Sequence, residues 1–131
     1  MPEKVSNGSA LTVLVAEDDL HVQGLIRLCL EGQKVTMVAS CAAACYELNR
    51  QSFDVVLTDL KLAGSDGLEV ARLAAQTQPK AYIVIMTGSP GVGPHNAEDL
   101  RAAGAHARLP KPFLPRELRA IVDTARRGRR G

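Results

Sequence analysis

Five short apolar runs, each followed by a stretch of different period, constrain this chain more than any other feature. They are LTVLVA (11–16), VTMVA (35–39), DVVLT (54–58), YIVIMT (82–87) and the weaker AHARLP (105–110). Each has strand length and strand composition. Between the first two, Val22, Leu25, Ile26 and Cys29 recur at i, i+3, i+4, i+7, one face of a helix expected over Leu20–Glu31 and stopped by Gly32. Ser40 suits the cap of a second helix reaching about Arg50, and a third helix is expected from Leu68 to about Ala75. After the Gly/Pro-rich GSPGVGPH (88–95), Asn96 with Asp99 in capping-box position opens a short fourth helix, which Gly104 ends. Pro115 fits a helical first turn, and Leu118, Ile121, Val122 and Ala125 form the buried stripe of a fifth. Five β/α units joined by right-handed crossovers imply an α/β fold: a doubly wound, five-stranded parallel sheet with helices on both faces. The strand order 2-1-3-4-5 suits it, with the switch point between strands one and three.

That switch point carries the acids. Glu17 and Asp18 close the first run, and Asp59 closes the third. A parallel sheet puts the carboxyl ends of its strands on one edge, so these carboxylates converge. Like charges in one cluster repel unless a cation joins them, and a hard, oxygen-loving ion such as Mg²⁺ suits them. Lys111, in RLPKPF after the fifth run, reaches the same edge. Acids, metal and lysine together make a site for handling a phosphoryl group. Alone, each residue has a blander reading: Thr87 as a strand residue, Lys111 as a surface lysine, an Asp as a turn or helix cap. Asp19, before Leu20, is expected to be such a cap.

Composition closes off other classes. The chain has 131 residues, 46% apolar and 23% charged, which fits one globular domain. It contains no Trp, and Phe53, Phe113, Tyr46 and Tyr82 are its aromatics, too few for single-strand nucleic-acid stacking platforms. The net charge of +2 comes from Arg126, Arg127, Arg129 and Arg130; without them the body is mildly acidic. Expected boundaries are a flexible leader over 1–10, a domain over 11–126 and a solvated basic tail over 127–131. Cys29, Cys41 and Cys45 lack zinc-site spacing and are expected to be small buried hydrophobes. With no signal-peptide pattern and no long apolar stretch, a cytoplasmic setting without membrane contact is expected.

The pair in VAEDD, then TDLKLAGSDG, MTG and LPKPF, in that order, resemble the response-regulator receiver domain, the CheY-like phosphoacceptor of two-component signalling, over about residues 11–126. The resemblance implies that Asp59 takes a phosphoryl group from a phosphohistidine of a sensor histidine kinase or histidine phosphotransfer protein. It implies Mg²⁺ held directly by Asp18 and Asp59, mostly through water by Glu17, and by the backbone carbonyl of Lys61. Thr87, Lys111 and the Gly88 N–H would contact the phosphoryl oxygens, with Lys111–Pro112 cis. Such a domain turns over no separate substrate and acts through an output partner, which the sequence does not name. The receiver itself is expected to bind no nucleic acid directly, and a homodimer stays open. The exposed part of the first helix (His21, Gln23, Arg27) is where the family reads its kinase.

Three features depart from the family pattern. Arg108 stands where an aromatic usually couples to Thr87 and is expected to remain in solvent. The output face, built of the fourth helix, fifth strand and fifth helix, is then expected to respond by loop and helix movement. GSPGVGPH is about two residues longer than is typical of the family and reads as a mobile lid. Ala63 replaces a common Pro, expected to loosen a turn without touching chemistry, and Lys61 and Ser89 occupy positions that tune water access. The competing reading is a non-phosphorylated receiver used as a fixed docking module. A dehalogenase-like phosphatase is disfavoured because Lys61 replaces the second Asp of DxD, and a flavodoxin because EDD replaces its hydroxyl-rich loop.

Overall fold

The computed structural model describes residues 10–88 and 97–130. Its elements, in chain order, are β1 (Thr12–Ala16), α1 (Leu20–Cys29), β2 (Lys34–Val38), α2 (Cys41–Arg50), β3 (Val55–Asp59), β4 (Lys61–Leu62), β5 (Ser65–Asp66), α3 (Leu68–Thr77), β6 (Tyr82–Thr87), α4 (Ala97–Ala102), β7 (Ala107–Pro110) and α5 (Pro115–Arg130). Five strands form one parallel sheet in the order β2-β1-β3-β6-β7. This is the order expected, with the winding across the sheet reversing between β1 and β3.

Side chains along each strand alternate between the two faces, and each face has its own core. Val13, Val15, Val55, Leu57, Val84 and Met86 meet Ile26, Leu118, Val122 and Ala125 of α1 and α5. Leu14, Ala16, Val56, Ile83 and Ile85 meet Ala44, Leu48, Ala71, Ala74 and Leu100 of α2, α3 and α4. Because both faces of the sheet are covered, all of β3 is buried, which is why Val55, Val56 and Leu57 are apolar in succession before Thr58 and the acid. The cysteines are free; Cys29 and Cys41 are buried and Cys45 is half-buried, and burial raises the pKa of all three thiols.

Caps follow the chemistry read from the chain. Asp19 accepts from the His21 and Val22 N–H groups, and these bonds lower its pKa. Ser40 accepts from the Ala43 N–H. The structure departs from expectation at two points, at the ends of α1 and α5. α1 ends at Cys29 rather than Glu31, because the chain tightens through Leu30 toward Gly32, whose φ of +94° only glycine adopts freely. The turn-rich segment LAGSDG forms a tight antiparallel hairpin, Leu62 facing Ser65. Finally, α5 continues without a break through Arg127 to Arg130, since no proline interrupts it and cations suit a helix C-terminus. The boundary drawn at 126 from charge is therefore not an edge of secondary structure. The expected lid from Ser89 and the Asn96 cap lie outside the described residues, as does the leader over 1–9.

Candidate phosphoacceptor site

Glu17, Asp18 and Asp59 come together. Each offers a carboxylate oxygen, and those atoms lie within 4.8 Å of one another. The sheet explains it: β1 and β3 are paired neighbours with Ala16 opposite Thr58, so the residues that follow emerge side by side at the carboxyl edge.

Glu17 is 0% exposed and its carboxylate is fully engaged. Oε1 accepts from Lys111 Nζ at 2.7 Å and Oε2 from the Asp19 N–H at 2.9 Å. Its backbone continues the β1–β2 ladder, donating to the Val38 carbonyl at 3.0 Å. Burial is the main cause of its raised pKa; Lys111 and the Asp19 N–H oppose that, and the Asp59 charge adds to it. Asp59 is 8% exposed; Oδ2 accepts from Lys111 Nζ at 2.8 Å and Oδ1 from the Lys61 N–H at 3.4 Å. Asp18 is the exposed member, and its Oδ2 accepts from the Ala63 N–H at 2.9 Å.

Lys111 thus sits between two acids as the internal cation of the cluster. Burial alone would lower its pKa, yet the hydrogen bonds to Asp59 and Glu17 win and raise it. One backbone contact holds it there. Its N–H donates to the Thr87 carbonyl at 2.7 Å, extending the β6–β7 pairing by one residue, and the Lys111–Pro112 bond is cis. Thr87 is half-buried at the end of β6, next to β3, where Asp59 faces Met86. Arg108, opposite Ile85 on β7, is exposed.

Sequence reading missed three contributors. Gly67 packs flat against the Asp59 backbone: an added Cβ would collide with the Asp59 carbonyl oxygen and lie 2.9 Å from its carbon and 3.2 Å from Leu60 Cα. Its N–H donates to the Leu60 carbonyl at 2.7 Å. The DG pair before a helix was the available signal. Gln23, read as part of an exposed helix surface, is half-buried and donates from Nε2 to the Glu17 carbonyl at 2.6 Å, a tertiary contact without a sequence signature. Ala63 touches the site through its N–H, contrary to the expectation that it leaves the chemistry alone.

The donor set consists of hard oxygens on a small, strongly polar edge, the preference of Mg²⁺ rather than of a soft metal. Among the described residues no helix is long and apolar enough to cross a membrane.

A family model for the response regulator receiver domain matches residues 13–123. The response regulator receiver protein CpdR of Brucella abortus is 34% identical over 109 residues, 81% of this chain and 88% of that protein. The protein-glutamate methylesterase/protein-glutamine glutaminase of group 2 operon from Rhodospirillum centenum is 33% identical over 119 residues. That match takes in 88% of this chain, which spans only 30% of the longer relative. The receiver domain of a sensor histidine kinase from Pseudomonas aeruginosa was solved with a magnesium ion coordinated in its active-site cleft. It superposes with a TM-score of 0.74 at 27% identity, covering 90% of this chain and 98% of that one. Sheet order, acid edge and family match agree: the chain belongs to the receiver-domain family of two-component response regulators.

Proposed function

We propose that this receiver accepts a phosphoryl group on Asp59, with Mg²⁺, from a phosphohistidine of a sensor histidine kinase or phosphotransfer protein. An Asp59 carboxylate oxygen attacks phosphorus, the bond from phosphorus to the imidazole nitrogen breaks, and the imidazole keeps the electron pair and takes up a proton. The observation that carries this reading is Lys111 Nζ held at 2.7 Å from Glu17 and 2.8 Å from Asp59. A cation already placed at the acceptor can follow the developing charge on a transferring oxygen.

Asp18, Asp59, Glu17 through water and the Lys61 carbonyl are the residues that would hold Mg²⁺, as the Pseudomonas neighbour's cleft suggests by likeness. Bound there, the ion supplies positive charge to the acceptor and to the incoming phosphoryl oxygens. Thr87 would bond a phosphoryl oxygen. Its carbonyl is tied to the Lys111 N–H, so movement at Thr87 would travel along the backbone into β7 and α5. With Arg108 exposed, this backbone route replaces an aromatic rotor as the path to the α4–β7–α5 output face. The domain is its own acceptor and turns over no separate substrate. It works in the cytoplasm through a partner.

The test is incorporation of phosphoryl from acetyl phosphate, followed by mass. A gain of one phosphoryl group that needs Mg²⁺ and disappears in Asp59→Asn is expected. An unmodified parent chain under saturating Mg²⁺ would leave a fixed docking module as the better reading.

A further inference from the structure

Resting on that phosphoacceptor reading, the β4–β5 hairpin has a role of its own. Its two central residues, Ala63 and Gly64, have φ of +48° and +87°. Positive φ at both positions is the tight hairpin turn whose twist matches its flanking strands, and Asn, Asp or Gly normally takes the first position. Alanine there has no side-chain hydrogen bond to offset the left-handed backbone. What the position delivers is its N–H, 2.9 Å from Oδ2 of Asp18, 45 residues earlier in the chain.

Asp18 needs such a hold. It is the exposed acid of the trio, with Glu17 and Asp59 pushing it toward solvent, and free rotation would take it away from them. The hairpin is well placed to resist this. Leu62 is fully buried, and the Lys61 N–H reaches toward Asp59. One short bracket therefore contacts the acid just beyond β1 and the acid that ends β3.

We propose that the Ala63 N–H is a positioning group for the metal site. It pins Oδ2 of Asp18 and so holds that carboxylate beside Glu17 and Asp59, where an ion would bind, and the left-handed turn aims that N–H. Proline at this position could do neither, having no N–H and a φ fixed near −65°.

The experiment replaces Ala63 by L-lactic acid, which exchanges the amide for an ester and removes the N–H without changing side chain or turn. Mg²⁺ affinity is then read by calorimetry, alongside the melting temperature of the metal-free protein. The expected result is a loss of roughly fivefold in affinity, the scale of one partly exposed bond to a charged group. Ala63→Gly, which keeps the N–H, should retain the parent's affinity, and Ala63→Pro should lose at least as much as the ester. The ester's effect should vanish when Asp18→Ala is also present, which a general loosening of the fold would not do. An ester that binds Mg²⁺ like the parent overturns the inference, as does an effect that persists without the Asp18 carboxylate. A parent that binds no Mg²⁺ and is not phosphorylated by acetyl phosphate sinks the phosphoacceptor reading itself, and the inference with it. A parent that binds normally beside a normal ester sinks the inference alone.

Discussion

Lys111→Met tests the electrostatics of the site most directly. The substitution keeps a similar unbranched stem and removes the charge that lies 2.7 Å from Glu17 Oε1 and 2.8 Å from Asp59 Oδ2. Each lost attraction is about 4 kcal/mol at the effective dielectric of a protein site, before the gain from no longer desolvating the ammonium. Measured costs of orphaning one member of a buried pair are about 3–5 kcal/mol. The lysine side chain is 22% exposed, which moves the expectation to the low end, about 3 kcal/mol at pH 8. For a chain of this size that is roughly 10 °C in melting temperature. Glu17 then has an escape. Its pKa is already raised by burial, and without the ammonium it rises further, so acidification neutralises the orphan. The penalty at pH 5.5 should therefore be smaller than at pH 8. Mg²⁺ no longer competes with an ammonium, so the variant should bind it about tenfold more tightly, worth about 1.4 kcal/mol. Denaturant melts at both pH values, with and without Mg²⁺, read all three effects. A penalty under about 1 kcal/mol in metal-free buffer at pH 8, or one that fails to shrink on acidification, would refute the reasoning.

Three further outcomes are expected. Gly67→Ala drives a Cβ into the Asp59 carbonyl and should cost about 3 kcal/mol while also slowing phosphorylation; a stable, fully active variant would show that the close approach does not hold in solution. The raised pKa of Glu17 means that its contribution is fully present below its unfolded value, about pH 4.3, and is lost as pH rises through the folded value. Stability of Glu17→Gln relative to the parent should therefore rise with pH in metal-free urea titrations, and a flat or falling difference contradicts the shift. Lys111 has the same sign: its contribution holds below about pH 10.4 and fades above its folded value. Gln78→Ala removes a buried amide that accepts from the Phe53 N–H at 2.6 Å and donates to the Leu48 and Gln51 carbonyls at 3.0 and 2.8 Å. A loss of about 2–3 kcal/mol with unchanged phosphorylation is expected, and a loss below about 0.5 would mean that water replaces the amide.

The architecture was legible because parallel strands covered on both faces must be apolar throughout, so VVLTD announces both its burial and its end. The helices were legible from their period and from caps such as Asp19 and Ser40, which act over a few residues. The candidate acids and Lys111 could be named because strand ends on one edge converge whatever lies between them in the chain. Boundaries were weaker: α5 runs on through arginines that charge alone assigned to a tail.

What the chain decided by itself is therefore everything local or periodic: five strands, five helices, their order, and acids at strand ends. Only the tertiary structure decided which carboxylate is buried and which exposed, that one ammonium serves two acids, that Gly67 lies against the Asp59 backbone and that the Ala63 N–H meets Asp18. These contacts join residues far apart in the chain, or depend on a single φ. No periodicity encodes them, because each is settled only when packed elements bring two backbones within a few ångströms.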